Sequence, residues 1–246
     1  MKAADGRTVK SGMLIRSGHL VPASVADIFK LGDLGISLIV DFRDAAEVTE
    51  RPDPEVEGAQ HLWLPALDNP VPMVSHDEDS DNQTDKFVKL INEDSDAGRK
   101  YLVSTYCGFI KNPFTVKQYT KFVDILLENN TGATLWHCTA GKDRAGFAAM
   151  IVEHILGVSD DDILEDYLMT NTYLEPEIEN IFHMLKDKKL NINLPAYRYL
   201  FIAHEDYYEA LHNSIDELYG SWDSFLLNGL GVDKKKAERF RKKFLD

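Results

Sequence analysis

Apolar residues over 23–31 recur at helical spacing and the segment stops at Gly32 and Gly35, which predicts a short helix. The β-branched run over 36–42 is apolar at nearly every position, so it reads as a strand covered on both faces. A second strand is expected over 59–64, running into a loop punctuated by Pro65, Pro70 and Pro72. Helical spacing resumes over 86–105 and 116–128, a turn follows at 129–132, and a third strand is expected over 134–137. A short loop then leads into an apolar helix over 145–156. Everything beyond is helical in pattern, with breaks expected near Gly157, Pro176, Pro195, Gly220 and Gly229 to Gly231. Strands alternating with helices, then helices alone, predict an α/β fold: a central, mostly parallel sheet of four or five strands flanked by helices, with a helical C-terminal cap. One domain over 1–246 is expected, its α/β core reaching about residue 175 and its helical extension covering about 176–246.

The composition narrows the function. With 246 residues, 44% hydrophobic and 28% charged, the chain is long enough to bury a sizeable core. Its two cysteines, Cys107 and Cys138, cannot build a disulfide framework or a cysteine-rich metal site, so a thiol that matters must act singly. The longest apolar stretch, 145–156, is broken by Glu153 and His154 and falls short of the roughly 18 residues that span a membrane. No apolar h-region opens the chain, so a cytoplasmic protein is expected, or a secreted one if a leading segment has been removed. A net charge of -14 speaks against a nucleic-acid partner. Cations concentrate in the last segment, at Lys234, Lys235, Lys236, Arg239, Arg241, Lys242 and Lys243. They suit a helix end or, at most, peripheral contact with an anionic membrane. An anionic substrate would have to be met by local charge and oriented backbone.

One segment offers that. In Trp136-His137-Cys138-Thr139-Ala140-Gly141-Lys142-Asp143-Arg144-Ala145-Gly146 a cysteine stands six residues before an arginine, between the end of a predicted strand and the start of a predicted helix. Backbone N–H groups of such a loop converge on one point, which the helix N-terminus also favours for an anion. Residues Thr139, Ala140, Gly141, Lys142, Asp143 and Arg144 would then cradle a phosphate, with Cys138 as nucleophile beneath it. The planar fork of Arg144 can grip two phosphoryl oxygens. His137 would tune the thiolate, and Asp41, Arg43 and Glu47 form either an ion cluster supporting the loop or a surface network. Lys142 adds a cation that suits a substrate with further phosphates. Cys107 has Pro113 six residues on and reads as a packing residue. Walker A geometry is excluded, because Trp136 and Asp143 stand where a glycine and a hydroxyl are required.

HCTAGKDRAG resembles the signature of cysteine-dependent protein-tyrosine phosphatases, and its GKDR core resembles the bacterial branch called atypical lipid phosphatases. The segments GRTVKSGMLIRSGHL, DFRDAAEV, HLWLPALD and IDELYGSWDSFLLNGLGV extend the likeness over most of the chain. The resemblance implies activity on phosphotyrosine or phosphoinositides without a cofactor or metal, and a phosphorylated protein or phosphoinositide as partner. It also implies an Asn-Phe-Arg-Asp-like segment ahead of the first strand, which this sequence does not contain. The family commonly has Ser or Thr after the signature arginine, where Ala145 stands, so the step that releases the sulfur is expected to be slower.

Expelling a phenolate or an alkoxide calls for a proton donor, and Asp68, just past the second strand on a proline-framed loop, is the residue expected to serve. The resemblance points to the same position; Asp143 is the runner-up. Two other readings stay open: a sulfurtransferase or arsenate-reducing enzyme using a similar thiolate, and a catalytically silent phospho-binding module, for which Ala145 is the support. Asp77, Asp79 and Asp81 alternate as in a calcium loop, but Asn82 and Val88 occupy the glycine and bidentate-glutamate places. His204-Glu205 begins a zinc-protease pattern that Tyr208 ends.

Overall fold

In the computed structural model, which describes residues 1–68, 88–187 and 192–246, the sheet has four parallel strands. They are β1 (Leu14–Ser17), β2 (Ile36–Asp41), β3 (Gln60–Trp63) and β4 (Ala133–His137), in the order β1-β4-β2-β3. β2 and β4 hold the centre and are nearly free of solvent-exposed positions. Helix α1 (Val25–Asp33) covers one face, where Ile28 and Leu31 pack on Ile36, Ile39, Ala133 and Leu135. It starts where Ser24 and Asp27 form a reciprocal capping box. Helix α2 (Ala45–Glu50) is begun the same way by Asp44 and Glu47.

The other face carries α3 (Ala97–Lys111), α4 (Pro113–Glu128) and α5 (Arg144–Leu156), with Phe42, Phe109, Tyr119, Phe122, Trp136 and Phe147 in one aromatic core. Behind them stand α6 (Asp160–Asp187), α7 (Leu194–Arg198), α8 (Glu205–Tyr219) and α9 (Lys234–Phe244), with a short π-helical turn at Phe225–Gly229 before the last. None of the described helices is long and apolar enough to cross a membrane.

The expected strands and the apolar helix are found within a residue or two of their predicted bounds. Two expectations need correction. No break occurs at Pro176, which sits inside α6: it faces solvent, and so does Thr172, whose carbonyl loses its N–H partner to the proline and can bond water instead. The helix expected over 86–105 is interrupted at 94–96, where the Asp94 carboxylate takes the Asp96 N–H and the Lys100 ammonium. The basic C-terminal segment is a helix end as expected, with Lys234, Lys235, Arg239 and Lys242 exposed, while Lys243 donates to the carbonyls of Leu126, Leu127 and Asn129 at the end of α4, and Arg241 to Ile155 at the end of α5. Both act as C-caps where helix dipoles favour a cation. The calcium-like acidic stretch lies outside the described residues.

Candidate active site

The predicted loop lies between β4 and α5 with its carbonyls turned outward. Thr139 O accepts from His19 N at 3.1 Å, Gly141 O from Arg16 Nη1 at 3.2 Å, and Cys138 O lies 3.2 Å from His137 Nδ1. A peptide plane points its N–H opposite to its carbonyl, so the N–H groups of Thr139, Ala140 and Lys142 face the other way, into the loop. The first N–H groups of α5 join them, since Asp143 at its N-cap makes no side-chain cap bond. Gly141 is required: its φ is +71°, and a Cβ there would lie 2.5 Å from Ser17 O. Cys138 sits at the base, only 2% exposed, while Thr139 and Ala140 at the rim are half-buried.

Arg144 is aimed by Glu47. Its Nη1 and Nη2 reach the two carboxylate oxygens at 2.5 and 2.8 Å, and the Thr139 hydroxyl bonds the same carboxylate. Burial by itself would push Glu47 up, but the hydrogen bonds and charge of Arg144, the Thr139 hydroxyl and the Asp44 N–H hold it at about 2. Desolvation opposes the charge on Arg144, and Glu47 with the nearby sulfur more than restores it, so the guanidinium stays protonated. Two of its five N–H groups, on Nε and Nη1, have no acceptor among the described residues.

Asp41 and Arg43 belong to a buried cluster rather than a surface network. Arg43, 1% exposed, bonds both Asp41 oxygens, Asp53 Oδ2 at 2.7 Å and the Arg51 carbonyl. His137 Nε2 stands 3.0 Å from Asp53 Oδ2, an ion-pair distance although off the line of a good hydrogen bond. Asp53 thus lies against the residue before Cys138. Asp41, Asp53 and His137 are close enough together to suggest a metal, but the Arg43 guanidinium is already hydrogen-bonded to both carboxylates.

Lys142 is a correction. Its side chain is 1% exposed and donates to Leu200 O and Ile202 O, each at 3.0 Å, with Asp143 Oδ1 at 3.2 Å. It pins the loop to the segment after α7 and presents no free cation to a further phosphate. Asp143 is held in turn by Tyr106, whose hydroxyl donates at 2.8 Å and itself accepts from Tyr167 at 2.7 Å. Burial, and then the charge of Asp143, keep both phenols protonated well above their usual range. Ala145 is fully buried in the aromatic core, where its methyl fills space that a larger side chain would contest.

Asp68 stands exposed beyond β3, its Oδ1 accepting from Asn112 Nδ2 at 2.9 Å. The residues before it are stitched to the sheet edge by Leu64 N to Asp41 O and Ala66 N to Phe42 O, and to α4 by Gln118 to Pro65 O. Sequence reasoning missed Asp53, Arg16, Tyr106 and Tyr167. The prolines on both sides of Asp53 were the one local sign that its carboxylate is held in place.

The family model described as "Tyrosine phosphatase family" matches residues 1–246. The "Putative tyrosine-protein phosphatase" of Cupriavidus necator is 31% identical over 236 residues, covering 95% of this chain and 80% of that protein. The "Triple specificity protein phosphatase PtpB" of Mycobacterium tuberculosis is 26% identical, covering 97% of this chain and 93% of its own. A "Tyrosine-protein phosphatase" of Nostoc commune is 24% identical over 70% of this chain. Taken with the cysteine loop and the parallel sheet that carries it, these matches make the chain a member of the tyrosine phosphatase family.

Proposed function

We propose that the chain hydrolyses phosphomonoesters, phosphotyrosine foremost, through a cysteinyl-phosphate. The Cys138 thiolate attacks phosphorus in line. As the phosphorus–oxygen ester bond breaks, Asp68 gives its proton to the departing oxygen. Water then attacks the phosphorus, Asp68 takes the proton, and the sulfur–phosphorus bond breaks to return thiolate and release phosphate. The loop N–H groups and the two uncommitted N–H groups of Arg144 are the donors for the equatorial oxygens throughout.

The observation that carries this reading is the outward turn of three loop carbonyls, beside an arginine fixed in a carboxylate fork. Asp68 and Cys138 both follow the carboxyl ends of parallel strands, the edge at which such sheets hold ligands. The engagement of Lys142 removes the loop residue that would recognise a second phosphate, which favours a single phosphoryl group over a polyphosphorylated inositol. The experiment is a panel of phosphotyrosine and phosphoserine peptides and phosphoinositides, with Cys138→Ser as control and Asp68→Ala read against esters of graded leaving group. Turnover abolished by Cys138→Ser, and a loss in Asp68→Ala that grows as the leaving group worsens, is expected. Turnover surviving Cys138→Ser refutes the nucleophile, and equal losses across leaving groups remove Asp68 as the acid.

A further inference from the structure

The loop depends on a residue far from it in sequence. Arg16, on β1, spends its guanidinium on four bonds: Nη1 to Gly141 O at 3.2 Å and Thr170 Oγ1 at 3.0 Å, Nη2 to Asp166 O at 3.1 Å and Asp166 Oδ2 at 2.7 Å. It is the described side chain that holds the Gly141 carbonyl, and its other three bonds are to α6. Behind the loop, Arg16, Gly18, Ala140, Gly141, Asp166 and Thr170 border a cavity of about 470 Å³. The arginine therefore borders open space, and its hydrogen bonds to Gly141 and α6 fix the direction of its guanidinium.

Resting on the phosphatase reading above, we propose that Arg16 is a positioning residue that sets the Gly141–Lys142 peptide with its carbonyl outward and its N–H toward the phosphate, and that α6 holds Arg16 in that pose. If this peptide turned over, a carbonyl dipole would face the sulfur and the phosphoryl oxygens in place of an N–H donor. Gly141, with its positive φ, is the residue in the loop best able to make that turn. Both the ease of forming the thiolate and the affinity for a tetrahedral oxyanion therefore depend on Arg16, although it touches neither.

The test compares Arg16→Met, Arg16→Lys and Asp166→Asn with the parent protein in three measurements: iodoacetamide alkylation of Cys138 against pH, inhibition by orthovanadate, and thermal unfolding. The parent should be alkylated at Cys138 and bind vanadate; if it does neither, the phosphatase reading fails first. Given a parent that does both, Arg16→Met is expected to move the onset of alkylation to higher pH and to weaken vanadate roughly 10- to 100-fold, the worth of a hydrogen bond to a charged group. Arg16→Lys, which cannot span Gly141 and α6 together, should recover only part of this. Asp166→Asn leaves the arginine in place with a weaker hold and should shift both readouts in the same direction by less. It keeps the proposal testable should Arg16→Met fail to fold. Folded variants whose alkylation profile and vanadate inhibition match the parent would overturn the proposal, even with a lowered Tm, because a purely structural ion pair would move stability alone.

Discussion

Replacing Glu47 by Gln is the sharpest test of how the arginine is aimed. The substitution keeps the shape of the side chain but removes the charge that faces Nη1 and Nη2 of Arg144. Held at about 2 in the fold against 4.5 ordinarily, the carboxylate contributes about 3 kcal/mol at pH 7, since each tenfold change in its acidity constant is worth about 1.4 kcal/mol. Breaking one side of a buried pair typically costs about 3–5 kcal/mol, which agrees. The folded value lies below the unfolded one, so the contribution is fully present above about pH 4.5 and is lost as pH falls toward 2. Glu47→Gln should therefore lower Tm at pH 7 by about 6–12 °C, taking about 2–4 °C per kcal/mol for a chain of this size. The gap to the parent should close as the pH is taken from 5 to 2. Because the freed guanidinium no longer presents Nε and Nη1 in a fixed direction, kcat/KM should fall by roughly two orders of magnitude, as when an oxyanion donor is lost. Calorimetry across pH, with turnover of a phosphotyrosine peptide in parallel, measures both. A Tm within about 2 °C of the parent, or a gap that does not change with pH, would refute the electrostatic argument.

Glu153 is buried in α5 and pushed up to about 8, first by desolvation and then by the charge of Asp166. With its folded value above the unfolded 4.5, the carboxyl lowers stability as pH rises from about 4.5 to 8, by about 3 kcal/mol between pH 5 and 8. Glu153→Gln should therefore raise Tm at pH 8 and change it little at pH 5. Lys142→Met leaves two carbonyls and Asp143 without their cation and should destabilise the fold by about 2–4 kcal/mol. It should reduce turnover of phosphotyrosine and phosphoinositide in the same proportion; a loss confined to the phosphoinositide would restore a substrate role for this lysine. Ala145→Ser, which adds a single oxygen to a packed position, should speed breakdown of the covalent intermediate, seen as a smaller burst in rapid kinetics. An unchanged burst would show that the missing hydroxyl does not limit that step.

What the sequence made legible was local. The strand, the five-residue loop and the helix around Cys138 are contiguous, so their periodicities and the glycine at 141 could be read directly, and β4 and α5 lie where they were expected. Asp41, Arg43 and Glu47 were visible as a charged group at a strand end, but not the division among them: Glu47 reaches Arg144, whereas Asp41 and Arg43 turn to Asp53 and His137. Separations of 97 residues between Glu47 and Arg144, 125 between Arg16 and Gly141, and 58 between Lys142 and Leu200 explain why. Such pairings are set by topology, which brings β1 and β2 to either side of β4, and no periodicity records them. Lys142 was misread for the same reason. A lysine in a short loop looks solvated until the distant carbonyls that bury its ammonium are known.

On the proposed reading, these pairings decide how an acidic protein would receive a phosphate. Around the loop, Arg144 faces Glu47, Arg43 faces Asp41 and Asp53, Arg16 faces Asp166, and Lys142 lies against Asp143. Each cation already has its carboxylate, so side-chain charge contributes little net positive field at the site, in a chain of net charge -14. What remains unmatched among the described residues is two N–H groups of Arg144 and the backbone: loop N–H groups whose carbonyls are fastened outside, and the uncapped start of α5. A short-range array of this kind recognises a tetrahedral oxyanion by the number and direction of its acceptors. On the proposed reading the ion pairs hold the loop and the Arg144 donors in place rather than supply charge, Arg16 through the Gly141 carbonyl, Lys142 through the carbonyls of Leu200 and Ile202, and Glu47 through the direction of Arg144, so removing any of these should be felt at the phosphate even where no contact is lost.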